Sequence, residues 1–168
     1  MNAGRPVEAD LGPEGVRGLR VAVVAARFNA DVTDRLAAGA VEALRSRGIG
    51  DDDLLLCRVP GSFEIAPTAR RLARSGLYDA VVCIGAVIEG GTDHYAYVCQ
   101  AVTEGLTRLA QDAAELGPRG VAISFGVLTT RTREQALARA GGGEGNKGAD
   151  AALAALETAA LWRALGGP

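Results

Sequence analysis

Several residue types are nearly missing from this sequence, and each scarcity removes a class of protein. Lysine occurs once, as Lys147, and histidine once, as His94. The net charge is −2 and no basic stretch is present to grip a phosphate backbone, so nucleic acid is not an expected partner. The three cysteines, Cys57, Cys83 and Cys99, form no CxxC pair. An odd, scattered set argues against a disulfide framework and suits a reducing compartment. Cys57 and Cys83 lie in apolar runs, where small buried thiols are expected. No apolar stretch is long enough to cross a bilayer, and the amino terminus lacks a charged-then-apolar secretion pattern. The cytoplasm is the expected location, with no membrane partner. Aromatics make up only 4%, so the core must be built from Ala, Val, Leu and Ile.

What remains is a globular composition, 48% hydrophobic and 23% charged over 168 residues, which fits one domain. Residues 1–18, rich in Gly, Pro and charge, read as an extended or loosely ordered arm, and 19–168 as the domain. Within the domain two periodicities alternate. The apolar runs 20–26, 53–59, 79–88 and 121–128 read as strands, with 79–88 the central one. Helical spacing covers 31–48, 63–75, 94–116, 132–140 and 146–165, with Asp31 as the first N-cap, Gly48 as its stop and Pro67 in a first turn. Gly141 to Gly145 reads as a glycine-rich loop. Strand–helix alternation with short connections implies an α/β fold with a parallel sheet and right-handed crossovers. The final helix is Ala- and Leu-rich around most of its circumference, which calls for cover on more than one side, from the sheet or from a second subunit.

In open parallel sheets, ligands bind beyond the carboxyl ends of the strands. Four exits carry unusual residues: Arg27-Phe28-Asn29, Val59 to Glu64, Glu89 to His94, and Thr129-Thr130. Gly90, Gly91 and Thr92 precede a long helix, and free N–H groups at such a helix end suit a phosphate. His94 follows in the first turn, with a proton affinity suited to acid–base work near neutral pH. Phe28 would stack on a planar ring or plug the sheet end. Glu64 would bind hydroxyls or complement a helix dipole, and Arg139 would bind an anion or stabilise a helix carboxyl end.

Taken together, the segments 26–29 (ARFN), 59–65 (VPGSFEI), 85–88 (GAVI) through Thr92, His94-Tyr95, 125–130 (FGVLTT), 134–136 (EQA), 139–141 (RAG) and 145–148 (GNKG) resemble the lumazine synthase family, in order and without evident gaps from about Leu19 to Leu165. The resemblance implies a three-layer α/β/α fold with a four-stranded parallel sheet in flavodoxin-like order. It implies condensation of 5-amino-6-(D-ribitylamino)uracil with 3,4-dihydroxy-2-butanone 4-phosphate in riboflavin biosynthesis, with no metal and no cofactor. By position, Phe28 would stack on the pyrimidine, Ser62, Phe63 and Glu64 would hold the ribityl chain, and Ala86, Val87 and Ile88 would read the uracil edge. Gly91, Thr92 and Arg139 would hold the phosphate, a place inorganic phosphate could also occupy, and His94 would transfer protons. Phe125 would reach the site from a neighbouring subunit, with Lys147 close by. The assembly implied is a homo-oligomer, a pentamer that in some members builds a 60-subunit icosahedral shell.

The chain departs from the family pattern at Glu89, where Arg is common, at Ala96, where Asp is frequent, and at Gly143, where a basic residue is usual. Two readings follow: an active synthase, and a shell-forming structural paralogue whose catalysis has weakened. A third reading, a flavodoxin-like or nucleotide-binding module sharing only the topology, has no residue that asks for it.

Overall fold

The computed structural model describes residues 6–166; residues 1–5 of the expected arm and residues 167–168 at the end of the expected domain lie outside the described residues. Four strands, β1 (Val21–Ala26), β2 (Leu54–Val59), β3 (Ala80–Ile88) and β4 (Ala122–Thr130), form one parallel sheet in the order β2-β1-β3-β4. This is the flavodoxin-like order. Every residue of β1 is buried, as a continuous Val/Ala run should be when it is paired on both edges and covered on both faces. β3 is likewise an inner strand, buried along nearly its whole length.

Helices supply the two covering layers. On one face lie α2 (Ala30–Ser46) and α6 (Lys147–Leu165), whose Val32, Leu36, Leu44, Ala152 and Leu156 join Val21, Val23 and Ile84 in one core. On the other lie α3 (Ile65–Arg74) and α4 (His94–Ala113), with Ile65, Ala69, Val102 and Leu109 against Ala22, Val24 and Val81. The fold is therefore three-layer α/β/α. A short helix, α5 (Arg133–Ala138), links β4 to a two-stranded antiparallel ribbon, β5 (Ala140–Gly142) and β6 (Gly145–Asn146). A single turn, α1 (Pro13–Val16), precedes the sheet; Val16 is buried, and Arg163 of α6 donates to the Arg17 carbonyl at 2.8 Å.

Small residues let these layers approach closely. A Cβ at Gly148 would overlap the Leu36 backbone of α2, and one at Gly39 would overlap the Asn146 side chain. Asn146 itself caps α6 by accepting from the N–H groups of Gly148 and Ala149, while its Nδ2 donates to the Arg35 carbonyl at 2.9 Å. One side chain therefore starts α6 and fastens it to α2. The Ala-rich inner side of α6 is covered by α2, β3 and β4 of the same chain, leaving Lys147, Asp150, Ala154, Glu157, Ala164 and Leu165 exposed.

Five local expectations are corrected. The N-cap of α2 is Asn29 and not Asp31, because Asp31 instead pairs with Arg133 of α5, an ion pair that holds its carboxyl below the usual carboxylate range. The 141–145 segment is the β5–β6 ribbon and not a plain loop, made by positive φ at Gly141 and Gly145 in a stretch with no apolar alternation to reveal it. β4 runs on to Thr130, and α4 ends at Ala113, earlier than Leu116. Cys57 is only partly buried, since β2 is an edge strand.

Cys83, by contrast, is fully buried in β3, and burial pushes its thiol up to about 12. Iodoacetamide at pH 8 should modify folded Cys83 far more slowly than Cys57 or Cys99; equal labelling by peptide mass mapping would contradict this placement. Gly148→Val should destabilise the fold by about 3 kcal/mol, since backbone and not a flexible side chain blocks the added group. An unchanged melting temperature would contradict the close α2–α6 crossing.

Candidate functional site

The strands begin level but end unevenly. Val21 pairs with Leu54 and Ala80, and Ala80 with Ala122, yet β1 and β2 have six residues while β3 and β4 have nine. Ala86, Val87 and Ile88 therefore project past the end of β1, paired on the β4 side alone. Beside this wall lies a cleft of about 520 Å³. It sits where the strand order reverses between β1 and β3, the place at which open α/β sheets leave a crevice.

Three segments close the cleft against that wall. After β1 the chain turns through Asn29, the sole non-glycine residue with positive φ among the described residues (58°), a conformation that Asn tolerates better than most residues. The Asn29 Nδ2 donates to the Ala86 carbonyl at 3.0 Å and so ties the β1 exit to the β3 wall. The Phe28 N–H donates to the Pro60 carbonyl at 3.1 Å, linking that turn to the β2 exit. The Phe28 ring is left 71% exposed, in reach of a planar guest. Because the Ala86 carbonyl faces the β1 side, strand alternation turns the Ile88 N–H and C=O the same way, into the open end.

The β2 exit forms a single 3₁₀ turn, Ser62–Glu64, running into α3. The Glu64 carboxylate accepts from the Gly61 N–H at 2.9 Å, which uses one of its oxygens and fixes the turn. Ser62 is buried and Phe63 is 63% exposed, so the turn presents an aromatic face and backbone groups to the cleft. Gly85 makes this possible: a Cβ there would come within 2.8 Å of Ser62 Oγ and 2.9 Å of Ile65 Cδ1. Across the cleft, Gly90, Thr92, His94, Tyr95 and Val98 form the wall from the β3–α4 connection. No side chain caps α4, whose amino end opens on the exposed Thr92–His94 turn.

The structure thus brings Phe28, Ser62, Phe63, Glu64, Ala86, Val87, Ile88, Thr92 and His94 together on one cleft. Gly91 is in the same connection but off the lining. Phe125, Arg139 and Lys147 are not on the cleft of their own chain. Phe125 stands on the outer strand β4, 47% exposed. Arg139 follows α5 and donates from Nη1 to the Gln135 carbonyl at 3.1 Å. Lys147 pairs with Asp150 at 2.8 Å, and its backbone N–H donates to the Arg139 carbonyl at 2.9 Å, so the two residues adjoin through their main chains. Thr129 and Thr130, expected on the rim, also lie off the lining. The sequence reading gave no role to Asn29, Tyr95 or Val98; an Asn at a tight strand exit was the available signal for the first.

Comparison with known proteins follows the same outline. The family model described as 6,7-dimethyl-8-ribityllumazine synthase matches residues 18–163. The chain is 50% identical over 148 residues to the 6,7-dimethyl-8-ribityllumazine synthase of Anaeromyxobacter sp. (strain K), covering 88% of each chain. It is 49% identical over 148 residues to that of Anaeromyxobacter dehalogenans (strain 2CP-C), again covering 88% of each, and 49% over 146 residues to that of Anaeromyxobacter sp. (strain Fw109-5), covering 87% and 86%. Matched by the family model over residues 18–163 and by relatives over 88% of its length, the chain belongs to the 6,7-dimethyl-8-ribityllumazine synthase family.

Proposed function

We propose that the β1/β3 cleft is the active site at which this transferase joins 5-amino-6-(D-ribitylamino)uracil to 3,4-dihydroxy-2-butanone 4-phosphate, giving 6,7-dimethyl-8-ribityllumazine, phosphate and water. The observation that carries the reading is the convergence of Phe28, Glu64, Ile88, Thr92 and His94, from three separate strand exits, on that single cleft.

Local geometry supports each proposed role. The exposed Phe28 ring stacks on the pyrimidine. The unpaired edge of Ala86–Ile88 offers backbone donors and acceptors to the uracil. The Ser62–Glu64 turn holds the ribityl hydroxyls through its backbone and the remaining Glu64 oxygen. At the far side, the uncapped amino end of α4, with Gly91 and Thr92, receives the phosphate. His94, on that turn, carries protons between the amine, the carbonyl-derived carbon and the departing groups. Imine formation, phosphate elimination and ring closure require no strong nucleophile. Holding both reactants in one pocket supplies several kcal/mol, out of about 7–11 available from such positioning.

Phe125, Arg139 and Lys147 act on the cleft of a neighbouring protomer in a homo-oligomer. Their surface positions, away from their own cleft, support this reading, and a backbone hydrogen bond keeps Arg139 and Lys147 on neighbouring main chain. The assembly unit we propose is a pentamer, extensible to a 60-subunit shell, working in the cytoplasm. The weakened, shell-only alternative gains no support from the site: Glu89, Ala96 and Gly143 all lie off the cleft lining.

His94→Ala should lower kcat by about a hundredfold or more in a lumazine formation assay, as removal of a general acid–base group does. Normal turnover would refute its role. Arg139→Ala should chiefly raise the KM for the butanone phosphate. If the cleft is shared, refolding or co-expressing His94→Ala with Arg139→Ala chains should recover activity above that of either variant alone, because some clefts then receive both intact residues. No recovery would place Arg139 outside the neighbour's site.

A further inference from the structure

β1 and β3 pair from Val21 and Ala80 as far as Ala25 and Ile84. Continued by two residues, that register would set Ala86 beside Arg27, with its carbonyl facing a main-chain donor from β1. The N–H groups at this point are turned the other way. Arg27 donates to the Val59 carbonyl at 2.8 Å and Phe28 to the Pro60 carbonyl at 3.1 Å, both on the β2 side. The Ala86 carbonyl accepts instead from the Asn29 side chain at 3.0 Å, in a part-buried position on the cleft lining. A carbonyl oxygen has no proton to give, so the group facing it is the amide nitrogen of Asn29 and not its oxygen.

Asn29 is itself held from behind. Its own carbonyl accepts from the Val32 and Thr33 N–H groups, both at 2.9 Å, at the start of α2. Its backbone is left-handed, with φ 58° and ψ 50°. The residue is thus anchored on α2 through its main chain and on β3 through its side chain. Past Ala86 the long strand is paired on one edge alone, Val87 with Thr129 and Ile88 with Thr130 of β4. The Asn29 amide is therefore the last rung on the β1 side before the open stretch begins.

We infer that Asn29 is a positioning residue: its side-chain amide replaces the missing β1 rung at Ala86 and so fixes where the backbone of Ile88 meets the uracil ring. The inference rests on the reading of Ala86–Ile88 as the wall that receives the uracil. A strand end paired on one edge only is free to twist about that edge, and the Asn29 contact restrains the other edge at the point where pairing with β1 stops. The amino end of α4, assigned to the phosphate, is reached through the separate 89–93 connection. Loss of the Asn29 amide therefore bears on one substrate more than on the other.

Asn29→Gly keeps the left-handed backbone, which glycine adopts without strain, and removes the amide. It should raise the KM for the ribitylaminouracil about tenfold, with the KM for the butanone phosphate changed less than about twofold. Asn29→Asp sets a carboxylate against the Ala86 carbonyl and should raise the same KM further at neutral pH. Measured against wild type at each pH, that penalty should shrink towards about pH 5, as the carboxyl gains a proton and becomes a donor. Wild-type KM values in Asn29→Gly would overturn the inference. Equal rises for both substrates would overturn it too, as the mark of a generally loosened β1–α2 turn, and so would an Asn29→Asp penalty that ignores pH. An unchanged KM for the ribitylaminouracil in Phe28→Ala would instead strike the reading of the cleft itself, an outcome separable from all of these.

Discussion

β1 and β2 stop three residues before β3 and β4, and the site depends on that step. A sheet with level ends would present only loops at its rim. Here the longer strand leaves Ala86–Ile88 with one edge paired and the other open, so rigid backbone, and not a mobile loop, forms one wall of the cleft. Binding geometry built on strands is held more closely than geometry built on loops. Asn29 then turns the step into a closed corner, since its amide reaches across the missing β1 residues to the Ala86 carbonyl. The left-handed backbone at Asn29 is a local cost, and its place beside the cleft is where such costs are usually found.

The small-residue core follows from the same demand. An inner parallel strand covered on both faces must be apolar throughout, and β1 meets this with Val and Ala alone. Narrow side chains keep both helix layers near the sheet, and Gly85 lets the Ser62–Glu64 turn settle directly against β3. A bulkier residue at Gly85 would move the turn outward and carry Phe63 and Glu64 with it. Packing density in the interior is therefore converted into position at the rim. The opposite layer uses Gly39, Asn146 and Gly148 to hold α6 on α2, which also fixes the start of α6, where Lys147 stands.

Much of this was legible in the sequence. Continuous apolar runs identified all four strands, most clearly the inner β1 and β3, which have no polar face to confuse the period. The motif order located the residues that meet in the cleft, since strand exits in a doubly covered sheet share one rim. Other features could not be read that way. Asp31 satisfies every local criterion for an N-cap, yet its carboxylate is claimed by Arg133, 102 residues away in sequence. The β5–β6 ribbon rests on glycine φ angles and leaves no alternation of side chains.

The placement of the cations carries the last step. An anion-binding pocket made by one chain would ordinarily contain its own guanidinium or ammonium group, yet the cleft lining includes neither Arg nor Lys. Among the described residues that line it, the electropositive feature is the amino end of α4 at Thr92–His94. The chain's single lysine and Arg139 are instead joined by a backbone hydrogen bond at a separate surface point. A protomer alone would then hold a phosphate ester weakly, and full neutralisation of the leaving phosphate would wait for a second chain. If the cleft is shared between protomers as proposed, assembly supplies the charge that the cleft lacks, and catalytic competence is tied to the packing of one copy against the next.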